Sequence, residues 1–182
     1  MIKKLLGSIR EYKKDSILAP IYVTLEVVLE VLIPFLMSMI IDRGVGEGDM
    51  PFIIRIGLIL IVSTLFSLSF GVLSGLHAAK ASAGFAKNIR KDMYYNIQDF
   101  SFSNIDQFST SSLITRLTTD ITNVQNSFQM IIRIMVRAPL MLVFSLLMAL
   151  NINSELGMVF LGAIPFLGLG LYLIMSKAFP IF

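Results

Sequence analysis

Cysteine is absent and histidine occurs once, at His77, so the chain offers neither a disulfide framework nor a thiolate or histidine-rich metal site. Charge is scarce too. Only 15% of the 182 residues are charged and the net charge is +3, with the basic residues gathered at segment ends rather than along a stripe that a polyanion would follow. Nucleic acid is therefore not expected as a partner. The basic N-terminus is not followed by a short apolar core and a small-residue cleavage site, so it is read as retained. No G-x-x-x-x-G-K-[ST] occurs to cradle nucleotide phosphates, and no catalytic residue, metal site or cofactor is expected on this chain. What is abundant is apolar: 55% hydrophobic residues and a mean hydropathy of +0.80 exceed what a soluble domain of this size can bury. The excess must face lipid, and the fold class is an all-α membrane protein.

Ile2, Leu5, Leu6 and Ile9 recur at helical spacing, with Lys3, Lys4, Arg10, Lys13 and Lys14 mostly off that stripe, which predicts a basic interfacial elbow helix over 1–15. Apolar runs over 16–41, 52–79, 130–150 and 156–176 each supply or approach the roughly 20 helical residues that cross a hydrocarbon core. Pro20 and Pro34 are expected to bend the first, and Pro165 falls near the middle of the fourth. A glycine-rich acidic turn, 42–51, joins the first two spans, and 151–155 joins the last two. Ser67, Gly71, Gly75, Ala79 and Ala83 form a small-residue face on the second span, of the kind that lets another helix approach closely. Between Lys80 and Gln129 the chain is polar, yet Phe85, Ile89, Met93 and Ile97 keep a helical rhythm, which predicts helix continuing into water. Five basic residues precede the first span, and Lys80, Lys87, Arg90, Lys91 and Arg116 lie in the long connection, whereas the two short turns hold only Arg43. That asymmetry places the N-terminus and the 80–129 hairpin in the cytoplasm. Arms of about 20 residues would reach some 30 Å beyond the bilayer.

Within the hairpin, 102–121 reads FSNIDQFSTSSLITRLTTDI. Here the sequence resembles the transmembrane domain of ATP-binding cassette (ABC) exporters, whose pattern is matched by Phe108, Thr110, Leu113, Ile114, Arg116, Leu117 and Asp120. Ser111 departs from the family's usual glycine, and the variant is similar to the branch of bacterial multidrug exporters that act as heterodimers. The likeness extends to the elbow, to a first span ending Ile-Ile-Asp-Arg-Gly, and to Arg133-Ile-Met-Val-Arg-Ala-Pro139 entering the third span. It implies a partial exporter transmembrane domain, four long helices extending into the cytoplasm, in the bacterial inner membrane. It further implies a coupling helix near 110–118, in which Thr110, Ser111, Ser112, Leu113, Ile114, Thr115, Arg116 and Leu117 meet a nucleotide-binding domain. ATP and magnesium would belong to the complete transporter, and the partners would be that domain, a second half-transporter subunit and the bilayer. The family's subunit has six spans and an ATP-hydrolysing domain, so this chain is expected to be a truncated domain that neither hydrolyses ATP nor transports. The sequence alone also admits a freestanding four-span protein whose hairpin docks a soluble partner, or an exporter of lipid or peptide.

The residues support a coupling role independently. Ser109, Thr110 and Ser111 are suited to cap a helix, Leu113, Ile114 and Leu117 to present an apolar face, and Arg116 with Asp120 to pair at i,i+4. Leu73-Ser74-Gly75-Leu76-His77 resembles the ABC signature only superficially, because it lies inside a span. Glu26 and Glu30 fall about 15 and 21 Å along the first span, where a carboxylate needs a wet cavity, a partner or protonation. They are candidates for a substrate pathway favouring cationic amphiphiles, or for an interhelical bond or a protonated pair. Phe35, Phe66, Phe70, Met141 and Phe144, with Met37, Met39 and Met148, are candidates for an adaptable apolar lining, and equally for lipid contact. Arg133 and Arg137 are read by default as anchors of the third span, with lipid phosphates or acids of a further helix as the alternatives, and His77 as a packing or interfacial residue, with proton sensing as its alternative. The carboxylates and small-residue faces are expected to lack partners within this chain, making it unstable in detergent.

Overall fold

A computed structural model describes residues 7–99 and 110–178. Among these, every element is helical and none is a strand. A 3₁₀ turn at Arg10–Tyr12 leads into α1 (Lys13–Met39), which runs through a π-helical turn at Ile40–Val45. Helix α2 spans Met50–Gln98, α3 Thr110–Thr115, α4 Ile121–Ile152 and α5 Ser154–Ala178. Four helical stretches, Arg10–Val45, Met50–Gln98, Ser111–Ile152 and Gly157–Ser176, are long and apolar enough to cross a membrane. Their order and type are those the hydropathy pattern predicts.

The boundaries differ in three places. Lys13 to Asp15, expected to close the elbow, already belong to α1, and the corner falls at Arg10, whose φ of 41° turns the chain. Residues 1–6 of the expected elbow lie outside the described residues. The first turn is much shorter than 42–51: the chain stays helical to about residue 47 and reverses at Gly48, whose φ of 71° is one that glycine tolerates. Asp49 then caps α2 by accepting the Phe52 amide at 3.1 Å, with Pro51 in the first turn, where its missing N–H costs nothing. The third difference concerns 110–118. Instead of a separate short helix, α3 passes through a π-helical turn at Arg116–Asp120 into α4, with helical dihedrals at Thr115, Asp120 and Ile121.

Helices α1, α2 and α4 pack on one another, and α5 packs on α4. Two apolar clusters result. Val23, Val27 and Val31 of α1 meet Val136, Leu140, Met141, Phe144 and Met148 of α4. Further along, Phe85, Ala86 and Ile89 of α2 meet Ile121, with Ile9, Met93, Leu117 and Phe128 around them, and the rings of Phe85 and Phe128 stack at 4.4 Å. This second cluster makes the polar stretch a packed hairpin. The small residues that α2 buries are Ser74, Ala78, Ala81, Ser82, Gly84 and Ala86, not Ala79 and Ala83, which are exposed. Gly84 is required for another reason: a Cβ there would run into the Tyr12 ring. The elbow is fixed to this part of α2, because Arg10 Nη2 donates to both oxygens of Asp92 at 2.8 and 3.1 Å and Asn88 Nδ2 donates to the Ser8 carbonyl at 2.9 Å.

Candidate functional site

Helix periodicity puts Glu26 and Glu30 one turn apart on α1, and the α1–α4 seam brings Arg137 between them. Arg137 Nη1 donates to Glu26 Oε1 at 2.8 Å, and Nη2 donates to Glu30 Oε1 and Oε2 at 2.9 and 2.7 Å. The carboxylates therefore have a partner within the chain, and Arg137 is more than an anchor. Removing two acids and a base from water is compensated only when such bonds are short and numerous, which they are here. One atom is left over. Glu26 Oε2 is buried and makes no hydrogen bond, and the carboxyl group lies against Gly71, where a Cβ would stand 3.0 Å from Oε1.

Arg133, one turn before Arg137 on α4, is treated differently by the fold. Its Nη1 lies beside Gly75, 3.8 Å from where a Cβ would be, and it forms no ion pair or hydrogen bond among the described residues. Arg133 lines two clefts. One, of ≈ 580 Å³, is bounded by Glu26, Thr64, Ser67, Leu68, Gly71, Val72 and Gly75. The other, of ≈ 490 Å³, is bounded by Asn126, Gln129, Met130, Ile134 and Arg137. The small face at Ser67, Gly71 and Gly75 thus makes room for charged side chains rather than for a neighbouring backbone.

The remaining pathway candidates do not converge on these clefts. Met141 and Phe144 are packed into the α1–α4 seam, and Phe35 is half-buried beyond it. Phe66 and Phe70 lie 6.3 Å apart on α2, where Phe70 stacks on Tyr22 at 6.2 Å. Tyr22 also stacks on His77 at 5.4 Å, and His77 Nδ1 lies 2.7 Å from Asp15 Oδ1, with Lys80 Nζ 3.6 Å from the other oxygen. His77 is thus a packing residue that ties the start of α1 to α2. No group of acidic and histidine side chains suited to a metal occurs among the described residues.

At the tip of the hairpin the candidate coupling residues divide by environment. Leu117 turns inward onto the Phe85 cluster, and its carbonyl accepts from Arg90 Nε at 3.1 Å. Ser111, Ile114, Thr115 and Arg116 are exposed, Ile114 at 57%, while Ser112 and Leu113 are half-buried. The apolar face expected of Leu113, Ile114 and Leu117 together is therefore split, with Leu117 spent on the hairpin's own core. Phe108 and Ser109 lie outside the described residues, as does the side chain of Thr110.

Among known proteins, the family described as the ABC transporter transmembrane region matches residues 16–180. An uncharacterised ABC transporter ATP-binding protein of Bacillus subtilis, YfiB, is 36% identical over the whole chain, which covers 32% of it. A second uncharacterised ABC transporter ATP-binding protein, Rv1273c of Mycobacterium tuberculosis, is 26% identical over 96% of the chain and 30% of its own length. The ATP-dependent lipid A-core flippase of Pseudoalteromonas translucida is 24% identical over 97% of the chain and 30% of its own length. The chain spans about a third of the length of these curated relatives.

Proposed function

Because the chain belongs to the ABC transporter transmembrane region family, matched from residue 16 to 180, we propose that it forms the first four spans of an exporter's transmembrane domain and couples a nucleotide-binding domain to alternating access. The observation that carries this is the lever: α2 is one helix of 49 residues, about 73 Å long. It continues from a lipid-soluble span into a hairpin locked by Phe85, Ile121 and Phe128, with Ser111, Ile114 and Arg116 exposed at its tip. In the proposed orientation, N-terminus and tip lie in the cytoplasm of a bacterium. ATP and magnesium act in a domain outside these residues, and a second half-transporter, a different subunit as the serine at position 111 suggests, completes the translocation path.

The cargo is an amphiphile. Two acids and two bases, Glu26, Glu30, Arg133 and Arg137, balance in charge, which supports neutral or zwitterionic compounds over the simple cations that the carboxylates alone suggested. Lipid cargo is the second reading, favoured by the name of one relative, a lipid A-core flippase.

The chain has no cysteine, so Ile114→Cys introduces a single thiol. In the full-length subunit, with any cysteine outside this chain replaced by serine, a membrane-impermeant maleimide should label it in inverted vesicles and not in intact cells, and a thiol-linked photocrosslinker placed there should capture a nucleotide-binding domain. Labelling from outside the cell would overturn the proposal.

A further inference from the structure

The two clefts beside Arg133 hold charges that the fold leaves unmatched. Arg137 is shared by two carboxylates, so that cluster carries one negative charge in excess, and the one unbonded carboxylate oxygen is Glu26 Oε2. Glu26 is only 9% exposed, and the cleft wall includes it. Arg133 carries one positive charge with no partner among the described residues. Both side chains rest on the same face of α2: the Glu26 carboxyl over Gly71 and the Arg133 guanidinium over Gly75. Those glycines are one helical turn apart, and no ion pair joins the two side chains among the described residues. A low-dielectric setting makes each unmatched charge costly.

We propose that this cleft holds the headgroup of an aminophospholipid, its phosphate on Arg133 and its ammonium beside Glu26. A ligand with both charges joined by a short linker satisfies both sites at once, whereas a simple cation or anion satisfies one and leaves the other. The lipid source is indicated by the rest of the wall. Leu68 and Val72, 65% and 55% exposed, continue from the cleft onto the outward apolar face of α2, where acyl chains of a bilayer lipid would lie. On the other side of Arg133, Asn126 and Gln129 add amide donors to the second cleft, which suits a phosphate. Binding itself does not depend on the exporter reading; only the consequence of binding rests on it, namely that the headgroup marks the amphiphile class that the transporter handles.

The test is made on the chain itself in phosphatidylglycerol nanodiscs containing phosphatidylethanolamine, counting retained lipids by native mass spectrometry. Wild type should retain phosphatidylethanolamine over phosphatidylglycerol; Glu26→Gln, which removes the charge facing the ammonium, should lower that preference about tenfold, and Arg133→Gln, which removes the contact to the phosphate that both lipids carry, should lower the retention of both. Arg133→Lys, which keeps the charge, should recover most of it. Gly75→Val, which keeps both charges but fills the space beside the Arg133 guanidinium, should abolish the preference while circular dichroism shows unchanged helicity. Equal retention of the two lipids by wild type would overturn the proposal. So would a preference that survives both Glu26→Gln and Gly75→Val, which would place the lipid elsewhere or show that another helix occupies the cleft. A preference found in a full-length subunit that fails the tip-labelling test would sink the exporter reading and leave the lipid site standing.

Discussion

Arg137 is the residue on which the α1–α4 seam turns, since among the described residues it alone pairs with the two carboxylates that sit deep in the first span. Glutamine at this position keeps the helix but removes the charge, leaving Glu26, 9% exposed, without its partner. Breaking a buried pair from one side costs about 3–5 kcal/mol; with a third of the Arg137 side chain exposed, the low end applies. Arg137→Gln should therefore lower the midpoint of thermal unfolding in micelles, followed by circular dichroism, by about 10 °C. Arg137→Lys should fall between, because one ammonium cannot serve both acids in the forked geometry of a guanidinium. An unchanged midpoint would mean that the acids are satisfied otherwise. The sequence marked Glu26 and Glu30 as needing a wet cavity, a partner or protonation, since charge at that depth is legible from hydropathy alone. It did not reveal which residue answers them. Arg137 follows Glu26 by 111 positions, and nothing local distinguishes it from Arg133 one turn away; only the lateral order of the helices assigns one to the acids and the other to the clefts.

Helix α2 and the hairpin it forms with α4 show the same limit one scale higher. The rhythm Phe85, Ile89, Met93 and Ile97 foretold a helix continuing beyond the span into water, and the first three of these residues belong to the second apolar cluster. The seam is narrow, because its largest contact is the single Phe85–Phe128 stack. Phe128→Ala should thus cost the hairpin about 2 kcal/mol, below the figure for a fully buried ring because Phe128 is only half-buried. Hydrogen exchange should quicken over 82–93 and 121–129 while the α1–α4 seam around Val27 keeps its protection; a uniform loss would mean that hairpin and spans unfold as one unit. Boundaries were less legible than the helices themselves. The DRGVGEGDMP stretch reads as a ten-residue loop because it is rich in glycine, yet Gly44 and Gly46 stay helical and only Gly48 takes the left-handed conformation. Gly44 is small for packing, since a Cβ there would meet Ile53 at 2.5 Å. Composition does not separate a glycine needed for its dihedral from one needed for its size. The π-helical turn at Arg116–Asp120 left no mark either, because Thr and Asp in a run of that kind suit a cap as readily as a widened turn.

Across the whole molecule the contacts are uneven, and this decides which parts stand by themselves. Helices α1, α2 and α4 share ion pairs, both apolar clusters and the elbow, whereas α5 packs chiefly on α4. Gly157 meets Leu150 closely just after the Asn153 turn, but further along the two helices are parted by a groove of ≈ 260 Å³ lined by Leu142, Leu146, Phe160 and Ile164. The outward residues of α5 are strongly exposed, Phe166 at 79% and Tyr172 at 71%. In lipid, helices gain little from hiding apolar surface, because acyl chains are as apolar as leucine, and association depends on close packing and polar contacts. Helix α5 has little of the first and none of the second to α1 or α2 among the described residues. Deleting residues 154–182 should therefore leave the thermal midpoint of the α1–α2–α4 unit in micelles within about 3 °C, much less than the effect of Arg137→Gln. A drop as large as that substitution produces would show that α5 supports the seam through α4. The expected outcome assigns α5 a different role: its free apolar faces are the surface through which this unit meets lipid or further helices, while the charge cluster and the hairpin hold together without it.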